Sequence, residues 1–343
     1  NWLKSQGARG VYIDQALNVV YPADVRQDGP LDVFMAHMDV VFSDETELPL
    51  RVEDGRIYCP GVGDDTACLV CLLMAGKYIA GYVDSPRWRE IRGENAPGLL
   101  LVCNAGEEGL GNLKGVHKIC EDYGDRMERF CTFDSSLSSI VDRAVGSKRF
   151  RVRVRTRGGH SYNNFGNDNA IACLASLVGE LYGIRVPEGG KTTYNVGMIS
   201  GGTSVNTIAQ EAEMLYEFRS DRRENLEYME RQFMEVLDRA KAEGTDVSFQ
   251  VIGVRPCEGQ VDPAQKQALT DWAHRVVEEM TGQAPKHHAG STDCNIPLSL
   301  GIPSVCVGSF RGAGAHTREE YVETDSLEEG YKVAFGMIFG RRD

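Results

Sequence analysis

The stretch Leu31–Val41, "LDVFMAHMDVV", places a histidine and an aspartate inside an otherwise apolar run. A near-continuous apolar segment of this length is expected where a strand is covered on both faces, as in a parallel sheet. His37 and Asp39 lie two residues apart, so on a strand they share a face. In open parallel sheets the carboxyl ends of the strands line the ligand crevice. His37 could ligate a metal there while Asp39 accepts the hydrogen bond from its other ring nitrogen, fixing tautomer and orientation. A satisfied polar pair at a strand end is the competing reading, and the stretch alone does not choose between the two.

Working outward, "GLLLVCNAG" (98–106) is a second buried-strand pattern, and "TACLVCLLMAGKYIAGY" (66–82) between them has helical length and spacing. A helix near 112–123 precedes a further short strand in "RFCTFDSS" (129–136). From about Ser147 the texture changes. A strand (148–156), a helix (168–184), two strands (192–200 and 210–219), a helix (224–242) and a strand (246–254) follow in the β-α-β-β-α-β order of a ferredoxin-like unit. After Pro256 a helix (263–281), a strand near Lys286, the strand "PSVCVGS" (303–309) and a last helix (325–340) resume the α/β pattern. The expected class is α/β: a mostly parallel sheet with helices on both faces, from residues 1–146 and 257–343, interrupted by an inserted α+β domain at 147–256. The chain carries no internal repeat.

Bulk properties narrow the function. At 343 residues the chain can form two domains, and its 42% hydrophobic and 25% charged content is that of an ordinary globular protein. A formal charge of −13 excludes the net basic face of a nucleic-acid binder. Lys148–Arg155, "KRFRVRVR", alternates basic and apolar residues as a half-buried strand does. No apolar run approaches the roughly 20 residues that span a bilayer. The ten cysteines are scattered through apolar segments, as small core residues of a reducing, cytoplasmic compartment are. Cys68-x-x-Cys71 lies within a helical pattern lacking the turn chemistry of an exposed dithiol. No signal-peptide pattern opens the chain, and because it begins at Asn1, upstream residues are expected.

Further acids and a histidine fall at strand ends or in adjoining loops. "PGVGDDTA" (60–67) puts Asp64 and Asp65 where a glycine loop enters a helix, a place for an N-cap or for a carboxylate held ionised toward cations. The loop lacks a Gly-x-Gly-x-x-Gly pattern and a phosphate-loop lysine, and two acids would repel phosphate. "NAGEEGLGN" (104–112) places Glu107 and Glu108 just past a buried strand, where extended neighbours point apart: one to a metal, the other to an attacking water. Asp134 ends a third apolar strand, and His316 sits in the small-residue loop "GAGAHTREE". His37, Asp64, Glu108, Asp134 and His316 form a mixed nitrogen and oxygen set that suits zinc, with manganese or cobalt as alternatives. A shared carboxylate would hold two such ions about 3.5–4 Å apart.

The ordered set "AHMDV", "GVGDD", "AGEEGLG", "FDSS", "GGHSYNNFGNDNAI", "GGTSVNTIAQEAEMLYEFRS", "STDCNIP" and "GAGAHTREEYV" resembles the dizinc aminoacylase/carboxypeptidase family, from near Gly10 to the C-terminus. That group includes peptidase T, carboxypeptidase G, carnosinase-like dipeptidases and the acetylornithine and succinyl-diaminopimelate deacylases. The resemblance implies that His37 and Glu108 are terminal ligands, that Asp64 bridges two metals before a cis peptide bond, and that Asp134 and His316 complete the pair. It makes Glu107 the general base and Asp39 the residue orienting His37. The inserted domain corresponds to a lid and dimerisation domain, implying a homodimer. His160 would reach a neighbouring subunit's site to polarise the scissile carbonyl, and Asn206 and Arg219 would bind substrate, Arg219 as a bidentate carboxylate fork. Many relatives carry a lysine where this chain has Thr66. Aspartate at position 134 is commoner among the family's peptidases than its deacylases. The expected activity is metal-dependent hydrolysis of amide bonds in small peptides of the tripeptidase, aminopeptidase or dipeptidase type. The alternatives are N-acyl-amino-acid deacylation at the same site or a catalytically silent binding protein. Neither nucleic acid nor membrane is an expected partner.

Overall fold

The computed structural model describes residues 1–26, 28–42 and 47–340. The chain divides into two compact units, Asn1–Ala144 with Glu258–Asp343, and Val145–Cys257. The sequence pattern had placed these boundaries at 146/147 and 256/257.

In chain order the first unit opens with helix α1 (Trp2–Ser5) and strands β1 (Tyr12–Ile13), β2 (Val19–Asp24) and β3 (Leu31–His37). Two short strands follow, β4 (Arg51–Glu53) and β5 (Arg56–Tyr58), then helices α2 (Cys68–Tyr82) and α3 (Arg87–Arg92). Strand β6 (Gly98–Asn104), helix α4 (Lys114–Tyr123), and strands β7 (Met127–Phe133) and β8 (Ser139–Ala144) complete its first part. The second unit holds β9 (Gly146–Arg155), β10 (Gly159–His160), α5 (Ala170–Tyr182), β11 (Thr192–Gly201), β12 (Thr207–Ile208), β13 (Glu211–Ser220), α6 (Arg223–Ala242) and β14 (Asp246–Arg255). The chain returns to the first unit with α7 (Pro263–Thr281), β15 (Lys286–Gly290), α8 (Asn295–Ser299), β16 (Ser304–Val307), β17 (Gly312–Ala313), β18 (Tyr321–Glu323) and α9 (Ser326–Phe339).

An eight-stranded sheet in the order β1-β2-β6-β3-β7-β16-β8-β15 organises the first unit. Strands β6, β3, β7 and β16 run parallel, whereas β2 joins β6, and β8 joins β16, antiparallel. Every residue of β3 and of β6 is buried. Phe34, Ala36, Leu99 and Leu101 face one apolar cluster with α2 and α9, and Val33, Met35, Leu100 and Val102 face another with α4. Two covered faces explain the unbroken apolar runs in the sequence: each of these large side chains contributes about 1.5–3 kcal/mol by leaving water. At the opposite end of β3 from His37, buried Asp32 pairs with Arg92 (3.2 Å) and Arg129 (2.9 Å).

A second sheet, β17-β18-β5-β4, matters for the site. Pairing of Tyr321 with Tyr58 ties the loop holding His316 to the segment that leads into Asp64. These two- and three-residue strands are too short to leave a period in the sequence. In the second unit β11-β13-β9-β14 form an antiparallel sheet whose buried face, including Phe150, Val152, Tyr216 and Phe218, packs on α5 and α6. On its other face Arg149, Arg151 and Arg153 pair with Glu217, Glu213 and Glu211. The basic run is thus a solvated strand face neutralised across the ladder.

Candidate metal centre

Three neighbouring parallel strands deliver four of the candidate groups to one sheet edge. His37 is the last residue of β3, Glu107 and Glu108 follow β6, and Asp134 follows β7. Asp64 comes from the segment Val62–Ala67 before α2, joined to Asp65 by a cis peptide bond, and His316 from the loop after β17. Asp64 does not cap the helix. Its Oδ1 lies 3.0 Å from His37 Nε2 and its Oδ2 lies 3.0 Å from His316 Nε2, so one carboxylate stands between two imidazoles. Glu108 Oε1 is 3.1 Å from the same His316 nitrogen. Donor atoms of His37, Asp64 and Asp134 lie within 4.8 Å of one another, as do those of Asp64, Glu108 and His316, and of His37, Glu107 and Glu108. A cavity of about 330 Å³, lined by Asp64, Asp134, Ser135, Ser136 and Phe310, opens beside them.

Burial and crowding set the charges. Burial, then the charges of Glu107 and Asp64, push the Glu108 carboxyl up to about 7. Burial and the neighbouring acids also raise Asp134 well above the carboxylate range. Asp64 goes the other way: burial opposes ionisation, but His37 and His316 outweigh it. At His37 burial favours the neutral ring, yet Asp65, Asp64, Asp134 and Glu107 together hold its pKa high. Such a nest of carboxylates around two imidazoles is short of positive charge, which divalent cations supply.

The structure gives Asp39 a different role. Asp39 was expected to accept the His37 ring hydrogen bond through its carboxylate. Its backbone carbonyl accepts it instead, at 3.0 Å from Nδ1, while the carboxylate is 3.9 Å away. The carboxylate is engaged elsewhere, accepting from the backbone N–H groups of Gly106 (2.7 Å), Glu107 (3.2 Å) and Glu108 (2.9 Å). A carbonyl acceptor fixes the ring as well as a carboxylate would, leaving Nε2 for a ligand role. Asp39 therefore sets the glutamate loop and the histidine ring together.

Three groups leave no clear mark in the sequence. Asp65 is buried and accepts the His37 backbone N–H at 2.8 Å. Glu320, also buried, accepts from Gly61 (2.6 Å), Gly63 (2.9 Å) and Asp64 (2.8 Å), drawing the Asp64 loop around its carboxylate. Gly61 takes φ 76°, and a Cβ on Gly63 would lie 2.6 Å from the Phe310 ring, so both glycines are needed for that close approach. Buried Asn104, paired in register with His37, donates to buried Asp293 at 2.5 Å. For Glu320 the only available signal was an acid four residues past His316, which reads equally well as solvated.

His160, Asn206 and Arg219 belong to the second unit. His160 is exposed on the short β10–β12 ladder, and its Nδ1 accepts from the Tyr162 N–H at 3.2 Å, which leaves Nε2 to carry the proton in the neutral ring. Asn206 adjoins that ladder, its carbonyl accepting from Ser161 at 3.0 Å. Arg219 lies on β13, with Nε and Nη2 engaged by Glu217 at 2.8 and 3.1 Å. The fork expected to read a substrate carboxylate is occupied by a neighbour on its own strand.

The thiols take no part. All ten cysteines are free, Cys68 and Cys71 are buried, and burial raises Cys68 far above the usual thiol range and Cys71 to about 11. Both thiols lie in the apolar core, the setting of structural rather than reactive cysteines.

Residues 33–339 match the family description Peptidase family M20/M25/M40. The chain belongs to this peptidase family. It is a hydrolase of M20 type, with the family's α/β catalytic architecture. Among curated relatives it is 26% identical over 324 residues to a succinyl-diaminopimelate desuccinylase of Nitrosomonas eutropha, covering 88% of this chain and 80% of that one. It is 35% identical over 266 residues to a p-aminobenzoyl-glutamate hydrolase homolog of Haemophilus influenzae, covering 69% of this chain and 59% of the other. A tripeptidase structure from Staphylococcus aureus shares the fold with a TM-score of 0.75 at 21% identity, covering 98% of this chain and 89% of its own. No helix among the described residues is long and apolar enough to cross a membrane.

Proposed function

We propose that this M20 hydrolase cleaves amide bonds of small peptides with two divalent metal ions, zinc in the first place, with manganese or cobalt able to substitute. The observation that carries the reading is Asp64, each of whose oxygens is 3.0 Å from a different imidazole. The donor chemistry fits. His37, Asp64 and Asp134 offer one three-ligand set, and Asp64, Glu108 and His316 offer another. Three nitrogen and oxygen ligands with a fourth position left open follow the plan of a catalytic zinc site. When bound, the ions lower the pKa of a water at the site and polarise the substrate carbonyl.

The chain's own residues do the rest. Glu107 is buried beside His37 and lies on the backbone that Asp39 holds. It takes a proton from the attacking water and returns it to the departing amine. His160, contributed by the other copy in a homodimer formed through the Val145–Cys257 unit, donates its Nε2 proton to the developing oxyanion. Asn206 and Arg219 hold the substrate, Arg219 by exchanging Glu217 for a substrate carboxylate. Peptides are favoured by aspartate at position 134, in keeping with the peptidase members of the family. A cytoplasmic setting accords with the ten free thiols. N-acyl-amino-acid deacylation is the second reading, favoured by the desuccinylase names among the curated relatives.

Two experiments decide. Mass-spectrometric product mapping on dipeptides, tripeptides and N-succinyl amino acids, with each metal added, separates the substrate classes, and exclusive release of succinate refutes the peptidase reading. Glu107→Gln is expected to keep fold and metal content while turnover falls by about 10²–10⁴-fold, the usual contribution of a positioned base. Unchanged turnover in that variant removes Glu107 from the mechanism.

A further inference from the structure

A second cluster of metal-ligand side chains lies in the first unit at the far edge of the large sheet, on elements that supply none of the candidate centre's ligands. His287 is on edge strand β15, which pairs with β8 in parallel, and His274 is on α7, which packs against β8. The two imidazoles lie end to end and nearly coplanar, with centroids 5.2 Å apart and planes within 10°, and His274 Nδ1 lies 2.8 Å from His287 Nε2. His287 Nδ1 is 2.8 Å from Asp142 Oδ2, so the carboxylate accepts that N–H and leaves Nε2 as the nitrogen with the lone pair. On the other side, His274 Nε2 is 3.9 Å from Glu278. The chain of groups therefore runs carboxylate, imidazole, imidazole, carboxylate, with one proton shared between the facing nitrogens.

We propose that His274 and His287 form an auxiliary zinc site that fastens α7 to the edge strand. The ion takes the place of the shared proton, which leaves for solvent. At zinc–nitrogen lengths of about 2.0–2.1 Å and a tetrahedral angle, the two nitrogens need to stand about 3.3 Å apart. The present 2.8 Å separation thus widens by about 0.5 Å, within reach of small side-chain rotations of half-exposed rings. Asp142 supplies the carboxylate that orients a metal-bound histidine through its second nitrogen, an arrangement common among zinc histidines. A cavity of about 550 Å³, lined by Asp142, Asp271 and His287, gives water room to complete the coordination. An edge strand gains from being pinned.

The test is zinc content per chain after equilibration at fixed free Zn²⁺, in wild type, His274→Gln and His287→Gln, with hydrogen exchange as a second measurement. Each variant is expected to hold one zinc ion fewer than wild type and to keep wild-type hydrolytic activity. Asp142→Asn is expected to bind that ion about 10–100-fold more weakly. In wild type, saturating zinc slows exchange of the 286–290 amides, and His274→Gln abolishes this slowing while leaving zinc-dependent protection at 31–41 intact. Equal zinc content in wild type and both histidine variants overturns the proposal, as does zinc-independent exchange at 286–290 in wild type. Because the comparison is made between proteins with the same candidate centre, it stands whether or not that centre holds two ions.

Discussion

Replacing Glu320 by glutamine tests whether the Asp64 loop is held by a buried carboxylate. Oε1 accepts two backbone N–H groups, from Gly63 at 2.9 Å and Asp64 at 2.8 Å, and Oε2 accepts one, from Gly61 at 2.6 Å. A glutamine carbonyl in the Oε1 position keeps the first two. Its NH₂ group then faces the Gly61 N–H, so a charge-assisted bond becomes a contact between two donors. Losing one hydrogen bond to a charged group costs about 1.5–3 kcal/mol. At about 2–4 °C per kcal/mol for a unit of this size, the expected fall in Tm is about 3–12 °C. Because the lost partner sits in the loop that aims Asp64, metal affinity should fall by about 10–100-fold as well. Circular-dichroism melts with and without chelator, and calorimetric zinc titration, read the two effects separately. Exposed Glu319→Gln is the control, expected to change neither. An E320Q protein that melts with wild type and binds zinc equally well refutes the reasoning, since a buried carboxylate with three donors cannot be neutralised without cost.

Three further outcomes follow from other parts of the chain. Asp32→Ala removes the buried carboxylate that pairs with the guanidinium groups of Arg92 and Arg129 and should cost about 3–5 kcal/mol in a denaturant titration; a loss below about 1 kcal/mol shows that water or relaxation replaces the pair. At Glu217 burial opposes ionisation, but the hydrogen bonds and charges of Arg219 and Arg149 bring its carboxyl below the usual range. Its contribution is therefore present above the unfolded value of about 4.3 and is lost as pH falls through the lower folded value. Glu217→Gln should be less stable than wild type at pH 7, with the gap closing in acid, and a gap independent of pH contradicts the assignment. Arg219→Ala should raise KM for substrates with a carboxylate near the scissile bond while sparing kcat; an unchanged KM confines Arg219 to its ion pair with Glu217.

The elements that sequence revealed are those whose burial is uniform along their length. Strands β3 and β6 are covered on both faces, so unbroken apolar runs marked them, and the structure bears out the helix at 263–281, adding that the Asp262 side chain caps it by accepting from Ala264 and Gln265. In the second unit the alternation of Phe150, Val152 and Val154 with arginines made β9 equally plain. What stayed hidden was β1, β2 and β8 of the large sheet and the small β17-β18-β5-β4 sheet. Strands of two or three residues contain less than two periods, and their pairing is decided by chain ends that meet only in the folded unit. That small sheet is what brings His316 to Asp64, so the most informative contact of the candidate centre rested on the least legible structure.

The acids show why the site was only half readable. Asp64, Glu108 and Asp134 present their carboxylates to the candidate centre, whereas Asp39, Asp65 and Glu320 turn theirs to backbone N–H groups. Both sets lie in glycine-rich or strand-end loops, and local composition treats them alike. The difference arises from spacing in three dimensions. A loop that must present a charged side chain without helix or sheet pairing leaves its own N–H groups unsatisfied, and a neighbouring acid is the residue type able to take up several at once. Asp39 takes three at the glutamate loop, Glu320 takes three at the Asp64 loop, and Asp65 takes the last N–H of β3. Three of the five candidate-ligand positions, at His37, Asp64 and Glu108, thus come with an acid engaged by backbone N–H groups. It follows that removing a holding acid should disturb both stability and metal affinity, whereas an isosteric change at a presenting acid should lower metal affinity with less loss of stability, because it relieves like-charge crowding. That contrast, measured as Asp39→Asn against Glu108→Gln, separates the two classes where sequence cannot.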